Sequence, residues 1–116
     1  MRNYTTQKEA AAKGIITPEM EIVSKKEHRT ADEIRKLVEK GQVVICANKL
    51  HASLDPNGIG SMLRTKINVN LGVSRDCRDY NTEMEKVMMA VNMGAEAIMD
   101  LSSHGDTGPF RQKLVR

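Results

Sequence analysis

The chain has 116 residues, enough for one domain with a modest core and too few for a complete eight-stranded α/β barrel. Its 40% apolar and 28% charged residues are ordinary for a globular protein, and no apolar run approaches the roughly 20 residues of a membrane-crossing helix. A net charge of +3 is mild, the basic residues fall in scattered pairs, and Tyr4, Tyr80 and Phe110 are too far apart in sequence to form a base-stacking set, which argues against a nucleic-acid partner.

Residues 1–7 lack the hydrophobic stretch of a secretory signal, so a cytoplasmic location is the expectation. Helical signals come first. Thr6 with Glu9 makes a capping-box pattern, and the helix that follows over 7–13 stops at Gly14. Thr17-Pro18 starts a second helix, since proline suits the first helical position and threonine caps exposed amides. Thr30 with Glu33 is another capping box, followed by Ile34, Leu37 and Val38 on one face and a stop at Gly41. Residues 1–42 therefore read as an N-terminal helical region and 43–116 as an α/β segment.

The β-branched run Val43-Val44-Ile45 predicts a strand, and a loop follows from Asn48 to Gly60, carrying Pro56, Asn57, Gly58 and Gly60. The stretch from Leu63 to Gly72 predicts the next strand. Alternation puts Ile67, Val69 and Leu71 on one face and Lys66, Asn68 and Asn70 on the other. A polar loop then leads to Thr82 and Glu85, a third capping-box pattern, with Met84, Val87, Met88 and Val91 at helical spacing and a stop at Gly94. Residues 95–101 read as a buried strand, and a last helix is predicted over 107–115.

Strand, helix and strand in that order predict a βαβ unit with parallel strands. Ligands of such sheets bind at the carboxyl ends of the strands. Asn70-Leu71-Gly72 and Met99-Asp100-Leu101-Ser102 are expected to meet there. Two asparagines weaken a strand selected only for packing, so they mark a polar ligand face or else satisfy loop backbone groups. Lys66 either neutralises an anionic ligand group or snorkels to solvent. Asp100 reads as a functional acid or as the cap of the next turn. Taken alone, Met99 is core filler, like Met84, Met88, Met89 and Met93 on the helix.

No metal site is expected from His28, His51 and His104, which share no ligand spacing, or from Cys46 and Cys77, which form no CxxC motif and are expected to stay unpaired. Cys77 lies between Arg75 and Arg78, which favours its thiolate, against the plainer reading of an unreactive loop thiol. Gly58-Ile59-Gly60 precedes a strand and lacks a third glycine, so it is no dinucleotide fingerprint.

Longer runs carry a resemblance. Val44-Ile45-Cys46-Ala47-Asn48, then His51, Leu54, Pro56 and Gly58-Ile59-Gly60, the continuous segments 63–74 and 93–103, and the early Lys13-Gly14-Ile15-Ile16-Thr17 together resemble the start of the phosphomethylpyrimidine synthase (ThiC) family of thiamine biosynthesis. The resemblance covers essentially the whole chain. It departs at Cys46, where the family usually has proline, and at Leu50, where it usually has asparagine. It implies a radical S-adenosylmethionine lyase that rearranges aminoimidazole ribotide into hydroxymethylpyrimidine phosphate, a 4Fe-4S cluster supplying the electron. It implies that the βαβ unit begins a (β/α)8 barrel, and that Asn70 and Met99 contact the substrate.

The family's remaining strands, two zinc histidines and a cysteine triad are expected beyond Arg116. This chain by itself is therefore expected to hold no cofactor, no metal and no catalytic residue. Alternatives are a non-catalytic interaction module derived from the family, or the start of a hydroxybenzimidazole synthase acting on the same ribotide. A βαβ unit cut from a barrel leaves strand edges unpaired, so a homo-oligomer is the expectation.

Overall fold

The computed structural model describes residues 2–115, a mixture of helices and two small sheets. It forms two compact units: the residues up to Leu50 with Leu54–Thr65, and His51–Ser53 with the residues from Lys66 onward.

The first unit holds α1 (Gln7–Ala12), α2 (Pro18–Lys26), α3 (Ala31–Glu39), β1 (Val43–Ile45) and β2 (Gly58–Gly60). The start signals act as the sequence predicts for α2 and α3. Thr17 Oγ1 accepts the Met20 amide at 3.1 Å, and Thr30 exchanges both capping-box bonds with Glu33. At α1 the box is only half made. Thr6 Oγ1 accepts the Glu9 amide, but the Glu9 carboxylate reaches back to the Thr5 amide.

Ala11, Met20, Val23, Ile34, Val38, Val43 and Ile45 form this unit's core, with Leu37 and Leu63 packed against it. Met20 and Ile34 are fully buried, each stabilising the unit by roughly 1.5–3 kcal/mol. The sequence expectation divides the chain after residue 42, but β1 packs on α1 and α3, and the first unit runs past that point to Thr65.

The expected loop from Asn48 to Gly60 is also too long by three residues. Gly58–Gly60 is β2, antiparallel to β1 with Val43 opposite Gly60 and Ile45 opposite Gly58. Glycines hide such a strand from propensity, yet here one is required. With φ of 145°, a Cβ on Gly60 would stand 2.1 Å from the Gln42 carbonyl oxygen.

The second unit holds β3 (Asn68–Leu71), α4 (Tyr80–Asn92), β4 (Ala97–Asp100) and α5 (Gly108–Leu114). As the order of elements predicts, β3 and β4 pair in parallel. Leu71, Val87 and Phe110 are buried together, with Tyr80, Met84, Ile98 and Leu114 packed around them.

Four local expectations change here. β3 is shorter than the Leu63–Gly72 stretch, so Lys66 precedes the strand, and Ile67 is 65% exposed instead of pointing into the core. β4 is half-buried rather than buried, because only a two-stranded sheet surrounds it. Asp79, not Thr82, caps α4: its carboxylate accepts the Asn81 and Thr82 amides and the Thr82 hydroxyl. Met88, Met89 and Met93 are exposed, so only Met84 of the four helix methionines joins the packing.

Candidate functional site

Parallel register sets Asn68 beside Ala97, Asn70 beside Met99 and Leu71 beside Asp100. Side chains alternate along each strand. Leu71 and Ile98 face the helices, so Asn68, Asn70, Ala97 and Met99 share the opposite face. Asn68 and Asn70 are exposed there, and Met99 is 49% exposed. Asn68 Nδ2 donates to Asn70 Oδ1 at 2.8 Å, which holds the two carboxamides as one polar surface beside the thioether. The structure thus brings together three of the five predicted residues: Asn68, Asn70 and Met99.

Asp100 lies on the other face. Its Oδ1 accepts the Ser102 amide at 2.9 Å and the Ser102 hydroxyl, and its Oδ2 accepts Arg111 Nε of α5 at 2.7 Å. Partial burial pushes its carboxyl up, but the hydrogen bonds from Ser102 and Arg111 outweigh that and hold it below the ordinary 3.8. Asp100 therefore works as the turn cap, not as an acid on the asparagine face. Lys66, half-buried and two residues ahead of β3, stands outside the alternation that links Asn68 to Asn70.

Beyond the strands, the two chain ends stay joined. Leu101 donates to the Leu71 carbonyl at 2.7 Å and Ser103 to the Val73 carbonyl at 3.0 Å, while the Val73 amide donates to Ser102 Oγ at 3.0 Å. Gly72 makes this approach possible. Its φ is 149°, and a Cβ there would lie 2.5 Å from the Ser102 nitrogen.

Glu83 is the residue that sequence reasoning overlooks. It is 1% exposed on the first turn of α4, its Oε2 accepts the Gly72 amide at 2.9 Å, and its Oε1 pairs with Lys86. The carboxylate beside it holds the Lys86 ammonium above its ordinary value. A helical glutamate near a cap looks like surface charge in sequence. Only its position one turn before Val87, on the buried stripe of α4, hints otherwise.

Among the described residues, no three histidine, cysteine or acidic side chains come together to hold a metal ion. Cys46 and Cys77 are free, exposed thiols, and no helix among the described residues is long and apolar enough to cross a membrane.

Comparison with known proteins gives these features a context. A family model described as the radical SAM ThiC family matches residues 6–116. The chain is 66% identical over 112 residues to a phosphomethylpyrimidine synthase of Alkaliphilus oremlandii, a match covering 97% of this chain and 26% of that protein. It is 63% identical over 113 residues to the phosphomethylpyrimidine synthase of Clostridioides difficile and 61% to one from Clostridium botulinum, with the same coverage. The chain thus spans about a quarter of the length of the curated relatives it matches.

Proposed function

The chain belongs to the radical SAM ThiC family, and on that footing we propose that it supplies one wall of the substrate site of a phosphomethylpyrimidine synthase. In this reading the βαβ unit begins a (β/α)8 barrel whose interior is the face carrying Asn68, Asn70, Ala97 and Met99. Asn70 and Met99 contact aminoimidazole ribotide, and Asn68 supports Asn70.

The observation that carries the reading is the register. Asn70 and Met99 come from strands separated by a whole helix, yet stand side by side on the face turned away from the helices. A packing role would not leave a methionine half exposed beside two carboxamides. The carboxamide offers a donor and an acceptor to a heterocycle, and the thioether offers a polarizable contact.

The family's radical chemistry needs a 4Fe-4S cluster and S-adenosylmethionine, and the described residues of this chain bring together no ligand set for a cluster or for zinc. In this reading the part these residues play is recognition of the ribotide. Calorimetric titration of the chain with aminoimidazole ribotide tests this. Binding that weakens about tenfold or more in Asn70→Ala and in Met99→Ala is expected. No binding by the wild-type chain, or binding by both variants as tight as wild type, would refute it.

A second reading concerns association. Among the described residues β3 and β4 each leave one edge without a strand partner, and a groove of about 610 Å³ runs along α4, lined by Met84 and by the outward methionines Met88, Met89 and Met93. Both features favour pairing with another copy of the chain. Sedimentation at high protein concentration is expected to show a dimer or larger species, and a strictly monomeric chain would refute it.

A further inference from the structure

We infer that Glu83 is a positioning residue, holding the carboxyl end of β3 so that the Asn70 carboxamide keeps its place on the site face. The inference rests on the reading of Asn70 as a ligand contact.

Glu83 is costly where it stands. Its side chain is almost wholly buried on the same helix face as Val87, which packs with Leu71 and Phe110. A carboxylate in such surroundings loses hydration that its partners only partly restore, and a shape-matched apolar side chain often serves stability as well or better. Packing does not explain it.

What its charge does is specific. Gly72, two residues after Asn70 and just past β3, has no side chain and a positive φ. On the β4 side, neighbouring groups are already tied: Leu71 carbonyl to Leu101 amide, Val73 amide to Ser102 hydroxyl, Val73 carbonyl to Ser103 amide. The Gly72 amide points instead toward α4, where Glu83 Oε2 accepts it at 2.9 Å. Hydrogen bonds to an ionised acceptor are roughly twice as strong as neutral ones. The second carboxylate oxygen pairs with Lys86, which orients the group from within α4. The peptide between Leu71 and Gly72 is thus held from both sides, at its carbonyl by Leu101 and at its amide by Glu83, and the Glu83 hold completes the fixing of the strand end that carries Asn70.

Two variants of the full 116-residue chain separate positioning from stability. Glu83→Met fills the same volume without an acceptor, and Glu83→Gln keeps an acceptor for Gly72 while losing the charge pair with Lys86. Nuclear magnetic resonance reads the Gly72 amide and the Asn70 side-chain amide pair, and calorimetry reads ribotide affinity.

Glu83→Met is expected to lose some stability, since the Gly72 amide is left without its acceptor, to lose the downfield shift and exchange protection of that amide, and to average the Asn70 side-chain resonances. Its ribotide affinity should fall about tenfold, with Glu83→Gln staying within about threefold of wild type. Unchanged Asn70 resonances in Glu83→Met would overturn the inference, as would equal affinity. If Glu83→Met fails to fold, Glu83→Asp decides: its carboxylate is one methylene too short to reach the Gly72 amide, so averaged Asn70 resonances support positioning and wild-type ones overturn it. A wild-type chain that binds no ribotide refutes the substrate reading, while the Asn70 resonances still decide the role of Glu83.

Discussion

Replacing Gly72 by alanine would set a Cβ 2.5 Å from the Ser102 amide nitrogen and 2.7 Å from the Leu101 carbonyl carbon. Both are backbone atoms of the chain leaving β4, so neither can swing aside as a side-chain tip would. Two costs arise. A non-glycine residue at φ of 149° is strained by about 2 kcal/mol, and forcing the two chain ends apart costs about 2 more, by the scale of overpacked cores. The total of about 4 kcal/mol should fall on the bonds just beyond the strands.

Gly94 supplies the comparison. Its φ is also positive, at 88°, but an added Cβ meets nothing within 4 Å, so only the conformational cost of about 1–2 kcal/mol applies. Native-state hydrogen exchange of the Leu101 and Ser103 amides, which bond Leu71 and Val73, reads the strand ends directly. Gly72→Ala is expected to speed their exchange by roughly 100-fold to 1,000-fold, and Gly94→Ala by roughly tenfold. Equal effects of the two substitutions would refute the close approach at Gly72, and with it the fixed strand-end geometry on which the site depends.

Asp100→Asn should loosen the Ser102 turn and the hold on Arg111. Because the Asp100 carboxyl is held below 3.8 in the folded chain, its stabilisation is complete above that value and is lost as pH falls through the lowered folded value. A pH series of unfolding midpoints should therefore converge for wild type and Asp100→Asn only at pH values below 3.8, and parallel curves at all pH values would contradict it. Thr17 is fully buried, caps α2 and donates to Gln7 Oε1 at 2.6 Å. Thr17→Ala should destabilise the first unit by about 2–3 kcal/mol, and Thr17→Ser by much less, in urea unfolding. Asp79→Ala should fray the start of α4, seen as lost protection of the Asn81 and Thr82 amides, with Asp79→Asn largely preserving it.

Most helices of this chain are legible because their signals are local. Thr17-Pro18, Thr30 with Glu33, and the glycines after α1, α3 and α4 each act within a few residues, and the structure uses all of them. The α4 cap shows the limit of such signals. Thr82 and Glu85 have the right spacing, but Asp79 lies three residues earlier and starts the helix there, so the amides that Thr82 would cap already lie inside it. β2 is illegible for a different reason. The two glycines leave Gly58-Ile59-Gly60 with little strand propensity despite Ile59, and it becomes a strand by pairing with the edge of β1.

The site divides in the same way. Period-two alternation places Asn68 and Asn70 on one face from sequence alone, and the structure keeps that pairing. The same alternation, applied to residues 97–100, sends Asp100 to the face opposite Met99, where Arg111 and Ser102 take it up. Its neighbour in sequence is not its neighbour in space.

The sequence by itself determined the order of the helices and of β1, β3 and β4, most helix boundaries, the polar face of β3 and, through its long runs of shared motif, the family. Those follow from interactions among residues a few positions apart, or from direct likeness. Tertiary structure alone decided the register that sets Asn70 beside Met99, the close approach at Gly72, the capture of Asp100 by α5 and the buried role of Glu83. Each of these depends on which backbone donors and apolar faces meet after the chain folds back, and one-dimensional spacing does not carry that information.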